Sequence, residues 1–217
     1  MRQVTGNQSG IGVATSNAFP TTAAWSRDSR DSAVTPSFGR YQRVNLEIDL
    51  VGDAKYYRAV YEQQWYRPIT RKMTLAVRGE IDYGHGLSGK PYPVFKNFYG
   101  GGIGSVRGYL SSSLGVVDPN TGDALGGSTR VLGAAELQMP FPGGGADKSL
   151  RWFGFLDAGQ IYQEGQKIRL NELRASAGLG VSWISPVGPL KLSYAKPLND
   201  KPGDRLERFQ FQMGTGF

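Results

Sequence analysis

Five stretches of this chain alternate apolar and polar side chains with a period of two. Val44, Leu46, Ile48 and Leu50 are interleaved with Asn45, Glu47 and Asp49. Met73, Leu75, Val77, Ile81 and Tyr83 are interleaved with Thr74, Arg78, Glu80 and Asp82. Val131, Gly133, Ala135, Leu137 and Met139 alternate with Arg130, Glu136 and Gln138. Leu173, Ala175, Ala177, Leu179, Val181 and Trp183 alternate with Arg174, Ser176 and Ser182, and Leu190, Leu192 and Tyr194 with Lys191 and Ser193. Successive side chains of a strand point to opposite faces, so each stretch predicts a strand with one apolar and one polar face. The segments run to about 9 to 13 residues. Globular strands average about 5 to 6, whereas a tilted membrane-crossing strand needs about 9 to 11.

The final segment carries the same signature. Phe209, Phe211, Met213 and Phe217 share one parity, and Gln210, Gln212, Gly214 and Gly216 share the other. Such a strand suits lipid on one face and a wet lumen on the other, with an aromatic at the interface. An edge strand of a soluble sandwich shares the alternation. Length, repetition and charge on the polar parity together favour the barrel.

The pattern predicts nine strands, at 20–30, 40–51, 55–67, 71–84, 129–140, 150–162, 172–184, 188–197 and 206–217. The expectation is an all-β antiparallel transmembrane barrel portion over residues 20–217, with residues 1–19 as the remnant of an extracellular loop. Leu46, Leu75, Leu137, Leu179 and Leu192 are expected to face lipid. Bacterial single-chain barrels have even strand counts, and an open edge in lipid leaves backbone groups unpaired. An odd count therefore points to the C-terminal part of a larger barrel. Short turns at 31–39, 68–70, 141–149 and 185–187 fall at one end. Connections 52–54, 85–128, 163–171 and 198–205 fall at the other, the outer end by their length.

Composition narrows the picture only in places. Hydrophobic residues make up 39% of 217, and no run approaches the roughly 18 to 20 apolar residues of a membrane helix. That excludes a helical membrane protein and leaves a barrel open. The absence of cysteine removes disulfide and thiol chemistry. The net charge of +7 is spread through the strands, which fits lumen lining and anionic headgroups better than nucleic acid. Met1-Arg2-Gln3-Val4 has no apolar run behind it, so the signal peptide that an exported barrel needs is expected to be removed or to lie upstream. No cofactor or metal is expected.

Residues 85–128 form a connection far longer than the usual few residues, and such loops tend to carry function. At its centre lies Asn97-Phe98-Tyr99-Gly100-Gly101-Gly102-Ile103-Gly104-Ser105-Val106-Arg107-Gly108-Tyr109. A lone Arg among glycines is a candidate for burial and pairing. The alternatives are a solvated external loop, or a phosphate loop that here lacks the following Lys-Ser/Thr.

Val106-Arg107-Gly108-Tyr109 resembles the loop motif of the bacterial surface antigen superfamily of outer-membrane assembly factors. Phe155, Asp157 and Gly159 match its aromatic-x-Asp-x-Gly strand motif, and Ser185 to Leu190 with Ser193-Tyr194-Ala195 resemble its penultimate hairpin. Asn97-Phe98-Tyr99-Gly100-Gly101 resembles the approach to the loop motif. The resemblance runs from about Trp25 to Phe217. It implies the last nine strands of a sixteen-stranded barrel that follows periplasmic POTRA domains, with the long loop folded into the lumen and Arg107 meeting Asp157. It further implies folding and insertion of outer-membrane proteins at the bacterial outer membrane, by strand templating at the seam between first and last strands. Phe209, Phe211, Met213 and Phe217 would lie on the last-strand side of that seam. The implied partners are outer-membrane lipid, nascent outer-membrane proteins and the assembly complex's lipoproteins. Autotransporter assembly factors and two-partner secretion transporters share the loop motif, and a passive porin also folds a loop inward. An enzyme is disfavoured: His85 is the only histidine, no Gly-x-Ser-x-Gly elbow accompanies it, and Tyr83-Gly84-His85-Gly86 reads as a turn.

Overall fold

The computed structural model describes residues 2–6, 13–118, 120–142, 149–186 and 188–214, with 2–6 and 13–16 described by backbone alone. In chain order the strands are β1 (Arg2–Gly6), β2 (Val13–Asn17), β3 (Thr21–Asp28), β4 (Gly39–Asp49), β5 (Tyr56–Pro68) and β6 (Thr74–Gly86). Three short ones follow within the long connection, β7 (Gly108–Tyr109), β8 (Val116–Val117) and β9 (Ala124–Gly126). The rest are β10 (Thr129–Pro140), β11 (Leu150–Tyr162), β12 (Arg174–Ser185), β13 (Gly188–Pro197), β14 (Leu206–Glu207) and β15 (Phe209–Met213).

Nine of these form one antiparallel sheet in the order β15-β13-β12-β11-β10-β6-β5-β4-β3. Every sheet neighbour is a neighbour in sequence once the short strands are set aside, so the sheet is a simple meander. The hairpin β1–β2 stands apart from it, with Arg2 opposite Asn17. Polar, Gly-rich residues 1–19 show no two-residue alternation, so nothing in their pattern announced those strands. The chain after β2 is tied to the β4–β5 turn. Asp53 N–H donates to the Asn17 carbonyl at 2.8 Å, and Phe19 N–H to Asp49 Oδ2 at 2.7 Å.

The sheet is apolar outside and polar inside. Leu46, Ile81, Leu156, Leu179, Phe209 and Phe211 are exposed on the outward parity, Leu179 at 59%. Leu192 is exposed as well, whereas Leu75 and Leu137 on the same parity are half-buried. On the inward parity Asp49, Glu80, Asp82, Asp157, Ser176, Ser193 and Gln210 are buried. A water-soluble sheet does the opposite, because apolar side chains leave water first. Outward aromatics sit toward both ends of the strands, and Trp25 and Tyr61 also at mid-strand. Trp65, Trp152 and Trp183 lie near the short-turn end, while Tyr57 and Tyr83 pack at 5.9 Å near the long-loop end. Tyr57 and Trp65 are roughly 26 Å apart along β5 at about 3.3 Å per residue, which a tilt of about 45° shortens to roughly 19 Å across the membrane, within the ~25 Å apolar band of a membrane barrel. Among the described residues no helix is long and apolar enough to cross a membrane.

Two sequence expectations need correction. Tyr83-Gly84-His85-Gly86 is not a turn; β6 runs through Gly86, with His85 opposite Tyr57. The glycines serve close approach. A Cβ on Gly84 would sit 2.3 Å from the Tyr92 ring, and one on Gly86 would strike the Lys90 carbonyl. The last segment is also not one continuous edge strand from 206. Leu206 and Glu207 pair with Tyr109 and Gly108 of the long connection, and the sheet strand begins at Phe209. Phe217 lies outside the described residues.

Candidate functional site

The long connection packs back onto the inward face of the sheet and is anchored at three places. The first is its base. Glu164 accepts the Gly86 and Tyr92 amides at 2.8 Å each and lies 2.9 Å from His85 Nδ1. Tyr92 meets the fully buried Tyr56 edge-on at 6.0 Å. The second holds Phe98, whose ring lies 4.3 Å from the Arg58 guanidinium and 5.6 Å from that of Arg130. Arg130 in turn donates to the Tyr99 carbonyl at 3.0 Å and to Asp82 at 2.6 Å, and pairs with Glu80. A cation over an aromatic face, itself fixed by two carboxylates, restrains the loop at this point.

The third anchor is Arg107. Its Nε lies 2.7 Å from Asp157 Oδ2 and its Nη2 2.6 Å from Oδ1, a two-pronged bond matching the planar fork to the carboxylate. Its own amide donates to Asp157 Oδ2 at 3.1 Å. Its remaining Nη1 lies 2.5 Å from Glu136 Oε1, which also takes Lys191 Nζ at 2.9 Å. The guanidinium stacks 3.5 Å from the centre of the Phe155 ring. Two cations thus face two carboxylates in a site where the Arg107 side chain is 3% exposed.

The neighbouring residues explain the motif. Val106 joins Tyr109, Leu114, Leu132 and Ile161 in a small apolar cluster between loop and sheet. A Cβ at Gly159 would lie 2.8 Å from Val106 Cγ2 and 2.5 Å from Leu132 Cδ2, so only glycine lets the loop seat there. Gly108 has φ +89, a region other residues rarely adopt, and lies against Ala195 and Pro197. Tyr109 is fully buried, and its carbonyl accepts from Gly102 N–H at 3.0 Å and from Gln210 Nε2 at 2.8 Å. Leu110 N–H donates to the Arg205 carbonyl at 2.8 Å. These bonds pull Leu206 and Glu207 away from β13 and onto the loop.

The structure therefore brings Val106, Arg107, Gly108, Tyr109, Phe155, Asp157 and Gly159 together. It places Phe209, Phe211 and Met213 apart from them, on the outer face. Glu136, Lys191, Arg130, Glu80, Asp82, Arg58 and Gln210 are anchors that sequence reasoning did not single out. The only signal for them was a polar side chain on the inward parity.

The edge strand has a backbone geometry of its own. Ala195 N–H donates to the Arg208 carbonyl and Gly214 N–H to the Pro189 carbonyl, both at 2.8 Å. Antiparallel ladders alternate bonded and non-bonded pairs. With Leu192 opposite Phe211 and Tyr194 opposite Phe209, the even positions 208–214 bond to β13. The N–H and C=O groups of Phe209, Phe211 and Met213 then point to the other side, where no strand pairs among the described residues.

Comparison with known proteins gives this arrangement its context. The Omp85 superfamily domain matches residues 4–217. The outer membrane protein assembly factor BamA of Neisseria meningitidis serogroup B is 40% identical, over 90% of this chain and 28% of that protein. The sorting and assembly machinery component 50 homolog of Mus musculus is 31% identical, over 88% of this chain and 44% of that protein. The crystal structure of BamA from Haemophilus ducreyi lacking POTRA domains 1–3 superposes with a TM-score of 0.84 at 28% identity, over 92% of this chain and 42% of that one. The chain thus spans less than half the length of each.

Proposed function

This chain belongs to the Omp85 superfamily, and we propose that it is the C-terminal barrel portion of a factor that folds and inserts β-barrel proteins into the bacterial outer membrane. The observation that carries this reading is the long connection locked onto the polar inward face of an apolar-faced meander, with Arg107 forked onto Asp157 and bonded to Glu136. Unpaired backbone groups in hydrocarbon each cost several kcal/mol, roughly. In the full-length protein, parting the last strand from the strand beside it would turn the ladder of Phe209, Phe211 and Met213 toward an incoming strand. Arg107 and its partners hold the long loop inside, and the loop in turn fixes where β15 begins. Nascent outer-membrane proteins supply the incoming strand, and lipoproteins bind the full-length protein elsewhere. No cofactor and no covalent step are needed.

The test is reconstitution of the full-length protein in phospholipid vesicles. An unfolded outer-membrane barrel should become protease-resistant faster than in protein-free vesicles. Steady open-channel conductance with no acceleration of folding would assign a passive porin instead. Acceleration confined to an autotransporter or a secretion partner would move the chain to that branch of the superfamily.

A further inference from the structure

We propose that the outer face at the short-turn end holds a site for an anionic glycerophospholipid, with its phosphate between Arg71 and Lys72 and an acyl chain in the groove of Met73, Met139, Pro140 and Trp152. The groove follows from strand register. The β6–β10 ladder stops at Thr74 opposite Gln138. β10 and β11 run two pairs further, Met139 opposite Trp152 and Pro140 opposite Arg151. A shallow, open notch is left between the protruding hairpin and the β5–β6 turn. Pro140 has no N–H, so at this open edge it exposes no orphan donor.

The turn presents its cations rigidly. Thr70 Oγ1 accepts the amides of Lys72 and Met73 at 3.2 and 3.1 Å, and Ile69 N–H donates to the Met73 carbonyl at 2.8 Å. Arg71 and Lys72 are exposed and make no ion pair among the described residues. Trp65, Trp152 and Trp183 on the same face mark headgroup depth. An apolar floor beside two exposed cations at that depth matches a lipid, which supplies a chain and a phosphate together. A free phosphate would leave the floor unused.

The inference rests on the reading of this face as lipid-facing. The full-length protein is refolded into vesicles containing either brominated phosphatidylglycerol or brominated phosphatidylcholine at equal fraction. The signal is the share of tryptophan quenching that Trp152→Phe removes. It should be larger with phosphatidylglycerol, by an affinity ratio of roughly five- to thirty-fold for two cations near the surface. Arg71→Gln with Lys72→Gln should abolish the difference, and Lys167→Gln at the opposite end should not. Equal quenching by both lipids, or a preference that survives the double substitution, overturns the site. No Trp152 quenching by either lipid overturns the lipid-facing reading as well.

Discussion

Arg107 is held by two carboxylates, and this decides what its removal does. Arg107→Ala leaves Asp157 and Glu136 facing a single cation, Lys191, in a largely buried site. Breaking a buried pair from one side costs about 3–5 kcal/mol. The thermal midpoint of the folded barrel in detergent should fall accordingly, and far further than for Lys90→Ala, whose amine bonds an exposed backbone carbonyl. Adding Asp157→Asn to Arg107→Ala restores neutrality around the Glu136–Lys191 pair and should recover part of the loss. A double variant as unstable as the sum of its parts would show that the charges act independently. Arg107→Lys keeps the charge without the fork and should fall between. The Arg107–Asp157 pairing was foreseeable from two motifs. Glu136 and Lys191 were not, because alternation tells which face a side chain takes but not which strand lies across the lumen.

Strands and turns respond to different solvents. Leu179 lies mid-strand on the outer face of β12, so Leu179→Arg should cost about 2–4 kcal/mol of refolding stability in vesicles. Ser182→Arg, on the inward parity beside the cavity near Arg107, should cost much less; equal losses would contradict the assignment of faces. The turn between β3 and β4 shows a different control. Asp31 accepts the amides of Ser37 and Phe38 at 2.8 and 3.1 Å, and the Ser37 hydroxyl. Burial alone would raise the Asp31 carboxyl, but these donors outweigh it and hold it below its ordinary value. A depressed carboxyl contributes stability above its unfolded pKa and loses it as pH falls through the folded one. Protection of the Ser37 and Phe38 amides, corrected for intrinsic exchange, should persist through the ordinary carboxylate range and drop only below it. Strand positions were legible because membrane-crossing strands carry strict alternation over a long run. Strand ends were not, where loop contacts rather than periodicity decide. His85 stays in β6 because the loop packs on Gly84 and Gly86, and Leu206 leaves the edge because Tyr109 claims it.

At the scale of the whole molecule, loop and edge form one device, and the device separates two kinds of backbone damage. The even positions of β15 bond to β13, whereas Phe209, Phe211 and Met213 offer theirs to the open side. A proline at 211 removes an N–H that faces away from β13 and leaves every β13 bond in place. A proline at 212 removes an N–H that faces β13 and keeps the outward ladder whole. If the open edge templates incoming strands, full-length protein with Phe211→Pro should fold and insert normally by heat-modifiable gel mobility yet lose most of its acceleration of substrate folding. Phe211→Ala controls for the lost ring and should retain activity. Gln212→Pro should instead lower barrel stability, with activity falling only as far as the folded fraction does. Full activity in Phe211→Pro would move the template away from this edge. The same protein carrying Gln210→Ala, which cuts the bond from the last strand to the Tyr109 carbonyl, tests whether the loop sets the edge. Hydrogen exchange at Leu206 and Glu207 should then quicken while the Arg107 site stays protected, because Arg107 keeps its own bonds to Asp157 and Glu136.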